Sequence, residues 1–307
     1  MPTKRLLADL ALGLCALIWG TTFVVIKNAL ADISVIVYLA LRFGLAAIVM
    51  AAIYWRALRN FTLPAASAGA QIGVCMFGGY IFQIAGLKYT TPSKAAFITG
   101  MFVVFVPILL ALFGRRRVAA GIWLGAASAF AGLYFLTTSA QGFGSLNRGD
   151  PIVFVCAIMF ALHMIFVGRH VRHHSVATLS FIQVATTALL SAALLPIAAA
   201  AGWEHPRVAW TGYLVFALLL TALGATVLGF SLQTWAQQYA SPSHAAILVS
   251  LEPVFAALTS FLITREHLSA RVLTGAALIF IGILSAELKG TASAASESLA
   301  PVSPSSG

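Results

Sequence analysis

The sequence predicts an all-α membrane protein with about ten transmembrane helices, arranged as two inverted five-helix repeats. Three observations predict this fold: the composition, a succession of apolar segments of membrane-spanning length, and an internal duplication. Hydrophobic residues make up 61% of the chain and charged residues only 8%, and the mean hydropathy is +0.97. Because a water-soluble domain carries roughly 25% charged residues, most of the surface must face lipid.

The apolar segments follow one another with short loops between them. A helix needs about 20 predominantly apolar residues to cross the hydrocarbon core. By this criterion the predicted helices are residues 6–28, 33–55, 65–88, 92–113, 118–136, 151–167, 176–201, 210–239, 242–263 and 269–286. The basic and then apolar N-terminus resembles a signal peptide, but its apolar run is long enough to span, so we expect it to be the first helix.

The duplication is clearest in residues 83–98, QIAGLKYTTPSKAAFI, and 233–248, QTWAQQYASPSHAAIL, which align at a constant offset of 150. Continued to residues 132 and 282, the alignment has roughly 16 identical positions in about 50. We therefore expect a first repeat at 1–140, a second at 141–289, and a disordered Ser/Ala/Pro-rich tail at 290–307. An odd number of helices per repeat makes the second repeat enter the membrane from the opposite side.

The net charge of +10 indicates topology and not a nucleic-acid partner, because lysine and arginine fall in twos and threes between apolar runs. The positive-inside rule favours cytoplasmic N- and C-termini. In that orientation the cytoplasmic segments hold Lys4, Arg5, Arg56, Arg59, Arg115, Arg116, Arg117, Arg169, Arg172 and Lys289. The three cysteines lie within apolar runs and are expected to be small buried hydrophobic residues.

Glu252 is the most informative polar residue, because a carboxyl group within a predicted membrane helix is costly and needs a reason. The residue at the equivalent position of the first repeat is Phe102. One interpretation is a contact to a substrate ammonium group or a carboxyl that takes part in proton coupling. The other is a structural carboxyl beside Pro253, where the missing N–H loosens the helix.

Three further polar residues lie in predicted helices. Arg42 either binds a carboxylate or extends its side chain to the headgroup region, and both alternatives stay open. Gln83 and Gln233 occupy equivalent positions of the two repeats. They either form interhelical hydrogen bonds or line a central cavity.

Aromatic residues recur at helical spacing on the first and sixth predicted helices. Trp19, Thr22 and Phe23 share one face of the first helix, and His163 lies on the corresponding face of the sixth. Tyr80 lies one helical turn before the glutamine of the third helix. Such a pattern is typical of packing, but the polar atoms of tryptophan and histidine also make these residues candidates for a substrate site.

One motif favours a different class of protein. Residues 170–174, HVRHH, match the HxxHH pattern of di-iron membrane enzymes, but such enzymes need about eight histidines in three such motifs. The chain has seven histidines, and the others are scattered. We therefore predict no enzyme activity, no metal and no cofactor, and keep a metal-dependent membrane enzyme or a scaffold or sensor subunit as the alternative.

Several segments together resemble the EamA branch of the drug/metabolite transporter superfamily. They are ALIWGTTFVVIKNAL (16–30), LRFGLAA (41–47), the two TPSKAAFI-like elements, LEPVFAALTSFLITREHLS (251–269) and GAALIFIGILSA (275–286). The resemblance covers nearly the whole chain up to about residue 287. The family's pattern positions here are Trp19, Arg42, Pro242, Glu252, Pro253 and Glu266. The first repeat departs from it at Phe102, Val103 and Arg116.

The resemblance implies a ten-helix inner-membrane carrier that exports amino acids or related small metabolites. From the sequence we expect the substrate to bind between the first, third, sixth and eighth helices and to be moved by alternating access. The lipid bilayer is the partner expected besides the substrate, no nucleic acid is expected, and a homodimer is left open. The predicted substrate-binding residues are Trp19, Thr22, Phe23, Arg42, Tyr80, Gln83, His163, Gln233 and Glu252.

Overall fold

A computed structural model describes residues 2–59, 62–114, 118–138, 147–255, 258 and 269–298 of the chain. In this part the protein is helical, and its one pair of residues in β geometry is the isolated bridge between Ile33 and Val208. The all-helical class predicted from the sequence is therefore confirmed.

The first half contains seven helices within the described residues. They are α1 (Pro2–Gly20), α2 (Thr22–Ala29), α3 (Val35–Leu58), α4 (Leu63–Leu87), α5 (Pro92–Gly100), α6 (Phe102–Gly114) and α7 (Ala120–Thr137). The second half contains α8 (Gly149–His170), α9 (Val176–Ala200), α10 (Gly212–Leu219), the π-helix π1 (Leu220–Leu228), α11 (Gly229–Ala236), α12 (Pro242–Val249) and α13 (Ala270–Ser298).

Eight stretches of the described residues are long and apolar enough to cross a membrane. They are Thr3–Ala29, Val35–Leu58, Leu63–Leu87, Lys94–Phe113, Ala120–Thr137, Gly149–His170, Val176–Ala200 and Gly212–Ala236. A shorter apolar helix covers Ala270–Ala286. The predicted helix at 242–263 is described only to residue 255 and at residue 258, and the rest of it lies outside the described residues. The protein is thus a multi-pass membrane protein.

Several of the predicted helices are interrupted near their middle. The first is divided into α1 and α2 at Thr21, and the fourth is divided into α5 and α6 at Met101. At the ninth, α12 ends at Val249 and helical geometry resumes at Glu252. This last break has a simple cause: Pro253 has no N–H to donate to the carbonyl of Val249, four residues earlier.

The last helix continues past the predicted membrane segment into the region expected to be a disordered tail. It ends at Ser298, so residues 290–298 are helical. Their alanine content favours a helix, because alanine has the highest helix propensity of all residues. The remaining residues of the predicted tail, 299–307, lie outside the described part.

Helices α7 and α13 make the most extensive contact between any two helices of the described part. A Cβ atom added at Gly125 would lie 2.8 Å from the carbonyl oxygen of Gly282, and one added at Gly132 would lie 2.6 Å from that of Gly275. The backbones therefore touch, and the order of the two contacts makes the helices antiparallel. Such close approach is how membrane helices associate where lipid provides no hydrophobic drive.

Helix α4 packs against both α8 and α9 through glycines of its own. A Cβ atom added at Gly79 would lie 2.6 Å from the ring of Phe160, and one added at Gly73 would lie 2.6 Å from the side chain of Thr186. These contacts hold α4 and α8 together on one side of a cavity in the interior of the bundle.

Candidate functional site

A cavity lies among the helices of the bundle and is partly open at its surface; its empty space, including the open part, is about 630 Å³. Eight of the nine residues predicted to bind substrate line it: Trp19, Thr22, Phe23, Tyr80, Gln83, His163, Gln233 and Glu252. They come from α1, α2, α4, α8 and α11 and from the residues after α12, and are therefore widely separated in the sequence. Arg42 is the ninth, and it does not line the cavity.

Four of the aromatic rings that line the cavity form two pairs. Trp19 packs on Phe230 with ring centroids 5.2 Å apart, and Phe160 packs on Tyr80 at the same distance of 5.2 Å. Tyr80 and Phe230, which the repeat alignment makes equivalent, meet edge-to-face with centroids 6.1 Å apart. The two pairs therefore join equivalent residues at the same centroid distance, although the rings are tilted by 42° in the first pair and by 87° in the second. Together they provide an apolar wall of flat rings.

A glycine makes room for the outer ring of each pair. An added Cβ atom at Gly229 would lie 2.7 Å from Nε1 of Trp19, and one at Gly79 would lie 2.6 Å from the ring of Phe160. These glycines are also equivalent in the two repeats. Trp19 is oriented further by π1, since its Nε1 donates a hydrogen bond of 2.8 Å to the carbonyl oxygen of Ala225.

The two glutamines of the cavity donate hydrogen bonds to neighbouring protein groups. Nε2 of Gln83 donates to Thr99 at 3.3 Å, and Nε2 of Gln233 donates to Sδ of Met164 at 2.9 Å and to Gln237 at 3.1 Å. Both glutamines thus make the predicted interhelical hydrogen bonds and also line the cavity.

The imidazole of His163 belongs to a buried chain of polar groups. Its Nε2 donates to Oε1 of Gln183 at 2.9 Å, and Nε2 of Gln183 donates to Oγ1 of Thr234 at 3.0 Å. The ring also packs edge-to-face on Phe230, with centroids 5.6 Å apart. Since Nε2 is engaged, His163 provides the cavity with a ring edge held in a fixed orientation.

Glu252 differs from these groups, because no described residue donates a hydrogen bond to its carboxyl or forms an ion pair with it. The side chain lines the cavity at the point where helical geometry resumes after α12. The lining residues in the described part include no lysine or arginine. Glu252 is therefore the one acidic group among the described lining residues, and no basic side chain of that lining neutralises it.

Arg42 lies behind the cavity wall and is 1% exposed. Its Nε donates to Oγ1 of Thr226 at 3.0 Å and its Nη2 donates to the hydroxyl of Tyr80 at 3.3 Å. The guanidinium lies 4.6 Å from the centroid of the Tyr80 ring and 5.2 Å from that of Phe43. The side chain therefore does not extend to the headgroups, and it contacts the cavity wall through Tyr80.

Eight lining residues were not among the sequence predictions: Ile26, Leu87, Thr99, Phe102, Phe160, Met164, Phe230 and Val249. Repeat symmetry relates several of them to one another or to predicted residues. Phe230 is equivalent to Tyr80, and Phe102 is equivalent to Glu252. Each of the two phenylalanines therefore lies 150 positions from a predicted residue, and the repeat alignment identifies both from the sequence.

The histidine motif at 170–174 lies away from this cavity. Nε2 of His170 is 2.7 Å from Oε1 of Gln71, and the rings of His170 and His174 are 6.1 Å apart. Within the described ranges no three histidine, cysteine, aspartate or glutamate side chains come together as metal ligands.

Comparison with known protein families shows to which family the chain belongs. The EamA-like transporter family model matches residues 6–138 and again 147–286, which together are most of the sequence. The chain belongs to the EamA-like transporter family. The two matched ranges correspond to the two halves of the molecule, so each half by itself has the features of an EamA unit.

Relatives of this EamA protein are also transporters by name. It is 35% identical over 296 residues to an uncharacterized transporter of Archaeoglobus fulgidus, covering 93% of this chain and 87% of the relative. It is 22% identical over 276 residues to the uncharacterized transporter YoaV of Bacillus subtilis, covering 87% and 92%. A solved crystal structure has a TM-score of 0.75 at 20% identity, covering 93% of this chain and 98% of the other, and supports the fold.

Proposed function

We propose that this protein is a secondary transporter of the inner, or plasma, membrane that exports amino acids or related small metabolites bearing an ammonium group. The observation that carries the proposal is the carboxyl group of Glu252, which lines the cavity without a protein partner among the described residues. A carboxylate in a low-dielectric cavity needs a cation or a proton, and a substrate ammonium group is suited to provide it.

The remaining lining groups favour a substrate with an apolar body. Trp19, Phe230, Tyr80 and Phe160 present ring faces and edges, which suit an aromatic or aliphatic side chain and also attract a cation. The buried guanidinium of Arg42 reaches the same wall through the Tyr80 hydroxyl. A zwitterionic amino acid would direct its ammonium group to Glu252 and its carboxylate to Tyr80, polarised by Arg42.

We infer that the chain forms ten transmembrane helices in two inverted repeats, at 1–140 and 141–289, followed by a tail at 290–307. The antiparallel contact of α7 with α13 supports this inference. The ring pairs of the cavity also support it. Trp19 corresponds to Phe160 and Phe230 corresponds to Tyr80, so equivalent residues contact each other in both pairs. The repeats are expected to move against each other around the cavity, with hinges at Pro92 and Pro242.

The positive-inside rule places both termini in the cytoplasm. In this orientation α1 begins on the cytoplasmic side and the loop between α4 and α5 lies on the outer side. Export then means that the substrate enters the cavity from the side where α1 begins and leaves it at the side of the loop between α4 and α5.

Counterflow in proteoliposomes tests the proposal. Purified protein is reconstituted with each of a panel of amino acids and amines inside the vesicles, and uptake of the labelled compound is followed, with Glu252→Gln as the matched variant. The expected result is accumulation of at least one ammonium-bearing compound, reduced in the variant. A metal-dependent membrane enzyme or a scaffold subunit would accumulate none of them, in either protein.

A further inference from the structure

Two acidic residues pair with basic residues in the first turns of α5 and α12. Nζ of Lys94, in the first turn of α5, lies 3.3 Å from Oδ2 of Asp150 in the first turn of α8. Nε2 of His244, in the first turn of α12, lies 2.9 Å from Oδ1 of Asp9 in α1. All four side chains are buried or partly buried, where the Lys94–Asp150 charge pair interacts more strongly than at a surface. Asp9 and His244 are within hydrogen-bond distance, and they form a charge pair when the imidazole is protonated.

The two pairs are related by the internal duplication. Lys94 and His244 lie 150 positions apart, the offset that aligns the two repeats. Asp9 and Asp150 have the same separation in the chain as the cavity rings Trp19 and Phe160. Each half of the chain therefore contributes an acidic residue from its first helix and a basic residue from its fourth, and the acid of one half pairs with the base of the other.

The two pairs lie at opposite ends of the cavity. Asp150 is in the first turn of α8, whereas Gly168 in its last turn lies against the ring of Pro242, which begins α12 just before His244. At about 1.5 Å per residue these two points of α8 are roughly 27 Å apart. The cavity residues Phe160, His163 and Met164 lie between them.

The first membrane segment, formed by α1 and α2, also has one of the two pairs near each of its ends. Asp9 is near the start of α1, and Lys27 is near the end of α2. Nζ of Lys27 donates to the carbonyl oxygens of Leu87 at 2.6 Å and Thr90 at 3.2 Å, and Thr90 in turn donates a hydrogen bond to Asp150. The Asp9–His244 pair and the Lys94–Asp150 pair therefore occupy opposite ends of this segment as well.

We propose that Asp150–Lys94 and Asp9–His244 are the two gates of the transporter, each closing one end of the cavity. The proposal rests on the alternating-access function proposed above. Since each pair joins the first helix of one repeat to the fourth helix of the other, rotation of the repeats must separate one pair to open its end. Both pairs are formed in this structure.

Accessibility of a cavity cysteine tests the proposal without a substrate. The native cysteines, all buried, are replaced, and Met164→Cys is introduced as the reporter in the cavity. Protein is placed in sealed vesicles of each orientation and treated with a membrane-impermeant thiol reagent. Lys94→Ala and His244→Ala are then compared with the parent protein from each face.

We expect each variant to speed labelling about 3- to 10-fold from one face, and the two variants to act on opposite faces. Asp32→Asn is the control, because Asp32 accepts a hydrogen bond from Thr211 away from the cavity and should leave both rates unchanged. Equal labelling of the two variants and the parent, or acceleration from the same face in both, would overturn the proposal.

Charge exchange separates gating from misfolding. Lys94→Asp combined with Asp150→Lys restores an ion pair of reversed direction and should return labelling towards the parent rate, whereas either single exchange should not. A double variant that labels like the single exchanges contradicts the proposal. Face-specific labelling together with no transport by the unsubstituted protein would overturn the proposed function alone, and transport without face-specific labelling would overturn the gates alone.

Discussion

Ser128 donates a hydrogen bond of 2.7 Å to the carbonyl oxygen of Leu278, the residue 150 positions later in the chain. The alignment of the two repeats makes these residues equivalent, so the bond joins a position to its own counterpart. On either side of it Gly125 approaches Gly282 and Gly132 approaches Gly275. In such a contact each helix uses the same face, as in the isologous interface of a two-fold dimer.

Replacing a glycine at this contact should destabilise the fold. A methyl group at Gly132 would lie 2.6 Å from a backbone oxygen, which cannot rotate away as a side chain can. We expect Gly132→Ala to lower the free energy of unfolding by about 1–3 kcal/mol. The melting temperature in detergent should fall accordingly. Gly44→Ala is the control, because an added Cβ meets nothing within 4 Å there, and equal melting temperatures for the two variants would contradict the expectation.

Replacing the carboxyl group of Glu252 by an amide should reduce transport while leaving the fold intact. Hydrogen bonds to a charged group are worth about 1.5–3 kcal/mol, so Glu252→Gln should lower the ratio of maximal rate to half-saturating concentration about 10- to 100-fold. Counterflow measures this ratio, and the elution profile in detergent checks the fold. Glu252→Asp keeps the charge and should retain more activity than the amide variant. The interpretation of Glu252 as a purely structural carboxyl predicts instead a lower melting temperature with transport preserved in the folded fraction.

The two glycines behind the cavity rings offer a test of cavity shape. Gly229→Ala and Gly79→Ala would each place a methyl group within 2.7 Å of a ring atom, of Trp19 and Phe160 respectively, and push that ring into the cavity. We expect both to raise the half-saturating substrate concentration several-fold, as expected when roughly one methyl group of space is lost. Gly224→Ala should behave like the parent, since its nearest neighbour would lie 3.8 Å away. A normal half-saturating concentration in both ring variants would show that the substrate does not occupy this space.

The hydroxyl of Thr226 should be needed to hold the buried guanidinium of Arg42. Thr226→Val keeps the shape but leaves Nε without its acceptor, and Nη1 already lacks a partner within the described residues. The expected cost is about 1–3 kcal/mol of unfolding free energy, measured as the melting temperature in detergent. Thr226→Ser retains the hydroxyl and should be closer to the parent. If the valine and serine variants melt at the same temperature, the hydrogen bond contributes nothing.

Much of the candidate site could be predicted from residue types, because a polar or aromatic side chain in a membrane helix is conspicuous against an apolar background. Trp19, Tyr80 and Glu252 are examples, and all three line the cavity. Phe230 was missed, since its residue type is inconspicuous among apolar residues and only its equivalence to Tyr80 indicates it. Arg42 was conspicuous too, yet its environment depends on threonine and tyrosine side chains that approach it from other helices.

The pairing of charged residues was beyond the sequence for a different reason. Asp9 and His244 each have the chemistry to form an ion pair, but most of the chain separates them, and the packing of distant helices decides whether they meet. The sequence indicates the breaks within helices only in part. Pro253 accounts for the end of α12. Gly100, a residue of low helix propensity, is the last residue of α5, but glycines also lie inside the unbroken helices α4 and α7, so glycine alone does not predict a break.

The sequence by itself determined the lipid environment, the helical class and the duplication, because composition and periodicity act locally along the chain. Tertiary structure alone decided which faces of those helices meet, which glycines allow backbone contact, and where a cavity remains between the helices. Those outcomes depend on packing between distant residues, where a change of one methyl group opens or closes a space.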